Sequence, residues 1–258
     1  MQSTLVGTFY GIGVGPGDPE LLTLKAARLL READIICLPK SKEGANSVAK
    51  QVAGPHLSAK ARLVEISMPM VRDAALLEEQ WQKGAAEIAG FLRQGLSVAF
   101  ITIGDSMLYS TYTYLLARVR RLLPEAPIEC VPGITSFSAA AAYLQEALAE
   151  GAEKLAVVPA IEDPEEIRAV LGRFPNAVLM KVAGKYDAIV TVLEELQLLD
   201  KAVLISRLGY PEQRICHDLA SLRGQKLDYL SLILVKQEGF QTWPVWFNLS
   251  EPAREIRS

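Results

Sequence analysis

A glycine-rich segment near the start of the chain constrains the fold most strongly. Residues 11–18 read Gly-Ile-Gly-Val-Gly-Pro-Gly-Asp, directly after an apolar run and before a segment with helical periodicity. Glycine tolerates a positive φ and lets a neighbouring group approach the main chain closely. In α/β proteins, a loop of this kind joins the first strand to the first helix and faces a ligand. We therefore predict an α/β fold with a ligand site beside this loop.

The spacing of the glycines disfavours a dinucleotide-binding site. The usual fingerprint is Gly-x-Gly-x-x-Gly. Its last position falls on Pro16 when counted from Gly11 and on Asp18 when counted from Gly13. Because a carboxylate at that position would repel a pyrophosphate, an oxidoreductase that uses a dinucleotide is the less favoured alternative.

Composition narrows the class of protein further. The chain has 258 residues, of which 50% are hydrophobic, and a formal net charge of −3. This length suits two modest domains, and the charge does not indicate nucleic-acid binding. The three cysteines are far apart and there are only two histidines, so no spacing supports a metal site. No apolar run approaches the roughly 20 residues of a membrane span. We expect a cytoplasmic protein without a metal, nucleic-acid or membrane partner.

Segments with strand-like and helix-like patterns alternate along the whole chain. This order predicts two α/β domains with mostly parallel sheets, residues 1–132 and 133–258, which share an interface and a ligand cleft. The second domain ends in consecutive strands, which suggests an antiparallel edge. Strands are predicted at 8–14, 35–38, 97–103, 128–131, 155–158, 177–182, 201–206, 214–216 and 229–235. Helices are predicted at 47–57, 74–93, 112–123, 136–150, 164–171 and 185–199.

Three further loops follow apolar strands and carry polar or glycine residues. They cover residues 104–111, 131–137 and 180–182. Ligands of open α/β sheets bind outside the carboxyl ends of the strands. Main-chain donors and the hydroxyls of Thr135 and Ser136 suit a small polar ligand there. Asp105, Thr135 and Ser136 are equally suited to capping the helices that follow them.

Three motifs in this order resemble the tetrapyrrole methylases. They are Gly-x-Gly-x-Gly-Pro-Gly-Asp from Gly11, Gly-Asp-x-x-x-Tyr-Ser-Thr from Gly104, and Val-Pro-Gly-Ile-Thr-Ser from Val131. The resemblance spans residues 8–235. Within the family, the chain is most similar to the enzymes that methylate C-20 of precorrin-2 or cobalt-factor II. Many relatives have proline where this chain has Ser106, so we expect a looser turn there.

The resemblance implies an activity, a cofactor and an assembly. It implies methyl transfer from S-adenosylmethionine to a ring carbon of an anionic tetrapyrrole, and a homodimer. The residues that it assigns to the cofactor are Pro16, Gly104, Asp105, Leu108, Thr135, Ser136 and Met180. Asp105 and Tyr109 are the candidate catalytic residues, since the methylated carbon must lose a proton. The candidate partners of the substrate carboxylates are Lys40, Lys42, Arg72, Lys181, Lys185, Arg207 and Arg214.

Other functions stay open at this point. One alternative is that the chain is another member of the superfamily, which methylates a different tetrapyrrole carbon or a protein or RNA target. The absence of a basic face in the sequence disfavours RNA. A non-catalytic tetrapyrrole-binding module is a further alternative. If the chain methylates C-20, the segment Leu-Pro-Lys-Ser-Lys-Glu-Gly from Leu38 favours the cobalt-containing substrate over the metal-free one. His56 and His217 are isolated in the sequence, so we expect neither to bind cobalt.

Overall fold

The computed structural model describes residues 5–40, 47–159 and 163–240. The chain divides into two compact units, Met1–Thr135 and Ser136–Ser258. The predicted domain boundary after residue 132 lies close to this division. Each unit contains its own five-stranded sheet and its own helices. The α/β class predicted from the alternating pattern is confirmed.

The first unit is built on a fully parallel sheet. Its strands are β1 (Phe9–Gly13), β2 (Ile35–Lys40), β3 (Arg62–Ser67), β4 (Val98–Thr102) and β5 (Ile128–Val131), in the order β3-β2-β4-β1-β5. All four pairings are parallel. Because β1 lies between β4 and β5, the loops that follow these three strands leave the same edge of the sheet side by side.

Four helices accompany this sheet. They are α1 (Leu24–Glu32), α2 (Val48–Ala53), α3 (Ala74–Arg93) and α4 (Tyr112–Leu122). Side-chain oxygens of Thr23 and Asp73 cap α1 and α3 by accepting main-chain N–H groups of the first turn. The apolar faces of α3 and α4 pack with β1 to β4 into one core, in which Phe9, Phe100 and Tyr112 are fully buried. The strands that carry the loops after β1 and β4 are therefore packed into the core of this unit.

The second unit has a mixed sheet. It contains α5 (Ser136–Leu144), β6 (Leu155–Val158), α6 (Pro164–Leu171), β7 (Asn176–Met180), α7 (Tyr186–Glu195), β8 (Ala202–Ser206), β9 (Arg214–Cys216) and β10 (Ser231–Lys236). The strand order is β6-β7-β10-β8-β9. Only β6 and β7 pair in parallel, and the other pairings are antiparallel. The expected antiparallel edge is present as β9, but β10 is inserted in the middle of the sheet, so this sheet is not mostly parallel.

The bounds of several elements in the structure differ from the predicted bounds, and each difference has a physical reason. Strand β3 was not predicted, although its residues alternate between exposed and buried from Leu63 onwards. Strand β2 continues through Pro39 because it pairs with β4 only at Ile35–Cys37. Proline lacks an N–H and is tolerated where one side of a strand has no partner. Helix α5 stops well before residue 150 because Gln145 adopts φ 57°. No helix of the described ranges is long and apolar enough to cross a bilayer.

Candidate functional site

The loops after β1, β4 and β5 meet in what we call the glycine junction, formed by Gly13, Gly15, Gly104 and Gly133. Gly15 and Gly104 exchange two main-chain hydrogen bonds of 3.2 and 2.8 Å. These bonds form one isolated antiparallel bridge beyond the parallel pairing of β1 and β4. The loops after β1 and β4 are therefore joined through their main chains, and the loop after β5 packs against both of them at Gly133.

Side chains are excluded from the junction by close main-chain contacts. A Cβ atom on Gly13 would lie 2.6 Å from the carbonyl oxygen of Gly104 and 2.7 Å from the nitrogen of Gly133. Gly15 and Gly104 have φ values of +80° and +70°, which residues with a Cβ rarely adopt. A Cβ on Gly104, in contrast, would meet no atom within 4 Å. The main chain at Gly104 is thus open on one side.

The carboxylate of Asp105 bridges two of these loops. Its Oδ1 accepts the N–H of Met107 at 2.8 Å, and its Oδ2 accepts the N–H of Gly133 at 2.9 Å. The first bond closes a turn within the β4 loop. It does not cap the following helix, contrary to the capping alternative, because the N-cap residue of α4 is Thr111. The second reaches the loop after β5. Asp105 therefore has a positioning role in the junction in addition to the candidate catalytic role that we assigned to it.

Ser106 is fastened more firmly than the sequence suggested. The residue is fully buried, and its hydroxyl donates a 3.0 Å hydrogen bond to the carbonyl oxygen of Val131. We expected a looser turn where relatives have proline. That expectation is wrong, because the serine replaces the rigidity of a proline ring with a bond to the neighbouring strand.

The loop after β4 exposes a short tip between two anchored ends. Met107 and Tyr109 are 52% and 45% exposed, and Leu108 is partly buried. Tyr109 has φ 50°, a strained value for a residue with a side chain. At the far end, the buried Ser110 hydroxyl donates to Thr102 at 3.3 Å and accepts the N–H of Tyr112 at 3.1 Å. The tip therefore exposes apolar side chains, while the hydrogen bonds of Ser110 hold its far end in place.

Tyr112 supports the glycine loop from inside the core, and sequence reasoning did not single it out. A Cβ on Gly11 would overlap the Tyr112 ring. The Tyr112 hydroxyl lies 3.3 Å from the sulfur of Cys130, and the ring centroid is 5.4 Å from that of Phe9. Burial is the main reason that the pKa of Tyr112 is raised. No local signal links Gly11 to an aromatic residue a hundred positions later.

The remaining residues of the first loop have local roles. Pro16 is buried beside Gly15. Asp18 accepts the N–H of Glu20 at 2.8 Å and caps a 3-10 turn, Pro19–Leu21. The carboxylate that argued against a pyrophosphate is therefore a cap. Thr135 is partly buried at the end of the first unit.

Two predicted cofactor residues belong to the second unit. Ser136 is the first residue of α5, and Met180 is the last residue of β7 and is partly buried. Lys181, next to Met180, has φ 58°. Met180 therefore ends a strand immediately before a sharp main-chain turn.

Several of the basic residues proposed for substrate carboxylates already contact acidic partners. The Arg207 guanidinium lies 3.0 Å from Asp228 Oδ2 and 3.3 Å from Glu212 Oε2. It also lies 4.9 Å from the ring centroid of Tyr210. With two carboxylates around one cation, Arg207 is better placed to hold its own turn than to attract an anion. Lys40 lies 2.5 Å from Glu65, and Lys42 falls outside the described residues.

Within the described ranges, no group of three or more His, Cys, Asp or Glu side chains is arranged to hold a metal ion. His217 is exposed directly after β9, and desolvation lowers its pKa. The site at the junction therefore depends on main-chain groups, hydroxyls and one carboxylate.

Comparison with known proteins identifies similar sequences over most of the chain. The family model described as tetrapyrrole (corrin/porphyrin) methylases matches residues 8–222. A cobalt-precorrin-2 C(20)-methyltransferase of Salmonella typhimurium is 35% identical over 90% of this chain and 97% of its own length. A probable enzyme of the same name from Methanocaldococcus jannaschii is 34% identical over 92% and 99%. A precorrin-2 C(20)-methyltransferase of a Sinorhizobium species is 30% identical over 91% and 97%.

Solved structures with the same fold carry related names. A cobalt-precorrin-4 methyltransferase of cobalamin biosynthesis superposes with a TM-score of 0.69 at 20% identity, over 89% of this chain and 94% of the other. The uroporphyrin-III C-methyltransferase of Thermus thermophilus in complex with S-adenosylhomocysteine gives 0.63 at 23% identity, over 90% and 99%. At these identities the structures establish the fold of the chain.

Proposed function

The chain belongs to the tetrapyrrole (corrin/porphyrin) methylases, and from this membership we propose that it is an S-adenosylmethionine-dependent C-methyltransferase acting on C-20 of a corrin precursor in cobalamin biosynthesis. The observation that carries this proposal is the similarity over about nine-tenths of the chain to three relatives named for C-20 methylation. The dinucleotide alternative has no comparable support.

We propose that the preferred substrate contains cobalt. The relatives named for the cobalt-containing substrate are 34–35% identical, and the relative named for metal-free precorrin-2 is 30% identical. The difference is small, but it agrees with the Leu-Pro-Lys-Ser-Lys-Glu-Gly segment that favours the cobalt route. Cobalt here is part of the substrate and needs no ligand from the chain.

The residues of the glycine junction fit the cofactor that the family uses. The open side of Gly104 leaves room for a ligand against the main chain. The neighbouring Met107–Tyr109 tip offers exposed apolar surface on an anchored loop. We propose that Pro16, Gly104, Asp105, Leu108 and Thr135 hold the cofactor. Ser136 and Met180 of the second unit are the further residues that the family resemblance assigns to it.

The proposed reaction needs alignment and the removal of one proton. When bound, S-adenosylmethionine would supply an electrophilic methyl group from its sulfonium sulfur, and the residues around it would have to align that group with C-20. A preorganised loop keeps the reacting groups in place and raises their effective concentration. C-20 then releases a proton. Each oxygen of Asp105 accepts one N–H and retains a second lone pair, so Asp105 remains able to take up that proton. Tyr109 is the second candidate.

The experiment that tests the function combines binding and turnover. Calorimetry is carried out with S-adenosylhomocysteine, S-adenosylmethionine and NADP, followed by an anaerobic methylation assay with the tetrapyrrole. We expect binding of both sulfur compounds, no binding of NADP, and a product one methyl group heavier with the methyl at C-20. A product methylated at another carbon would contradict the C-20 assignment, and binding of NADP alone would contradict the family activity.

We propose further that the protein works as a homodimer in the cytoplasm. Exposed apolar side chains in the first unit, including Met70, Val71 and Tyr114, support an association surface. The isolated cysteines support a reducing compartment. Sedimentation at micromolar concentration is expected to give about twice the chain mass of 28.2 kDa. A single species at the mass of one chain would refute the dimer.

A further inference from the structure

Two consecutive residues, Asp105 and Ser106, connect the loop after β4 to the end of β5. Asp105 Oδ2 accepts the N–H of Gly133 at 2.9 Å, and the Ser106 hydroxyl donates to the carbonyl of Val131 at 3.0 Å. The two bonds run in opposite directions between the same two segments. We call this pair of bonds the loop staple.

The staple lies directly before the exposed tip of the loop. Beyond Ser106, the tip Met107–Tyr109 is largely exposed and includes the strained φ of 50° at Tyr109. A strained main-chain conformation persists only where its surroundings hold it. Directly before Asp105 in the sequence, Gly104 forms two main-chain hydrogen bonds with Gly15. The staple therefore connects the first end of the tip to the sheet edge, as the hydrogen bonds of Ser110 connect the other end.

Because Ser106 is buried, the loss of its hydrogen bond would destabilise the loop. Ser106 has no exposed surface, so its hydroxyl cannot exchange the bond to Val131 for one to bulk water. Removing the hydroxyl deletes a hydrogen bond from a buried site and leaves one acceptor position of the Val131 carbonyl oxygen unfilled, at the cost of about one hydrogen bond. The loop would then lower its free energy by moving away from the end of β5.

We propose that Ser106 is a positioning residue of the cofactor site, acting through the loop staple to keep Gly104 and Leu108 in their binding geometry before the ligand arrives. This inference rests on the proposed cofactor role of the junction. It assigns to Ser106 a function that does not involve contact with the ligand. A loop ordered in advance loses little entropy on binding, so loosening it weakens cofactor affinity without altering the groups that touch the cofactor.

The test compares Ser106→Ala with Ser97→Ala in the full chain. Ser97 lies directly before the first residue of β4, at the end of the strand away from the junction. Like Ser106, it donates a hydrogen bond from its hydroxyl, here to Asp34 at 2.7 Å. The probe is S-adenosylhomocysteine, titrated by calorimetry. We expect Ser106→Ala to weaken binding about fivefold, the effect of about one hydrogen bond, and Ser97→Ala to leave it unchanged. Ser106→Cys, which keeps a hydrogen-bond donor at the same position, although a weaker one on a larger atom, should lie in between and serves if the alanine variant does not fold.

Hydrogen exchange without any ligand separates this inference from the proposed function. In Ser106→Ala, amides of residues 106–111 and 133–135 should exchange faster, and in Ser97→Ala they should not. Unchanged exchange and unchanged affinity in Ser106→Ala would overturn the inference, and so would equal losses in both variants. If the wild-type chain does not bind S-adenosylhomocysteine, the proposed cofactor role fails, and unchanged exchange would then show separately that the staple does not order the loop.

Discussion

At the residue scale, three of the four glycines of the first loop are required for different reasons. Gly11 makes room for the Tyr112 ring, Gly13 for the main chain of Gly104 and Gly133, and Gly15 adopts a positive φ. We expect Gly11→Ala to lower the free energy of unfolding by about 1–3 kcal/mol, the usual cost of overpacking a core. Gly54→Ala is the control, since a Cβ there meets no atom within 4 Å. Urea denaturation measures both, and equal stability of the two variants would contradict the packing argument.

Asp105 and Asp73 are a matched pair for separating capping from binding. Each carboxylate accepts two main-chain N–H groups, Asp73 at the start of α3 and Asp105 within the junction. Replacing either with alanine should cost about 1 kcal/mol of stability, as for loss of a cap. Only Asp105→Ala should also weaken S-adenosylhomocysteine binding, by about tenfold, because it releases Gly133 as well as Met107. Calorimetry that finds the same affinity in both variants would remove Asp105 from the site.

At the scale of secondary-structure elements, the starts of β2 and β4 are joined by Asp34 and Ser97. The Ser97 hydroxyl, followed by its main-chain N–H, lowers the pKa of Asp34 below its ordinary 3.8. A lowered pKa in the folded state means that this contribution to stability is complete above the unfolded pKa and is lost as the pH falls through the folded pKa. We expect the unfolding free energy of the wild type to fall more steeply between about pH 5 and 2 than that of Ser97→Ala. Parallel slopes in acid denaturation would show that the bond does not stabilise the ionised carboxylate.

At the scale of the whole molecule, the prediction concerns which substrate is methylated. We expect faster turnover of the cobalt-containing substrate than of metal-free precorrin-2 in parallel anaerobic assays. We predict that discrimination comes from the shape and oxidation state of the ring, and not from a bond between cobalt and His56 or His217. The variants His56→Ala and His217→Ala should keep turnover within about twofold of the wild type, as expected for positions outside the reacting geometry. Faster methylation of the metal-free ring would reverse the cobalt preference, and a large loss in either variant would indicate a cobalt ligand.

The sequence by itself determined the α/β class, the family and the three loops that surround the junction. These features depend on local patterns, namely glycine spacing, apolar runs and helical periodicity, which are written in consecutive residues. The same patterns predicted α3, β5, β6, α6 and β9 within the bounds that the structure gives, and they placed Gly104, Asp105 and Leu108 on one loop. The roles of those residues as cofactor ligands remain predictions.

Only the tertiary structure decided which distant residues touch. Ser106 bonds to Val131 across 25 positions and Asp105 to Gly133 across 28, and β10 enters the second sheet between β7 and β8. Periodicity records which face of a strand is buried but not which strand lies beside it. Neighbouring strands are chosen by the packing of the whole core. The staple that fixes the loop, and the tyrosine that supports the first glycine, follow from that choice.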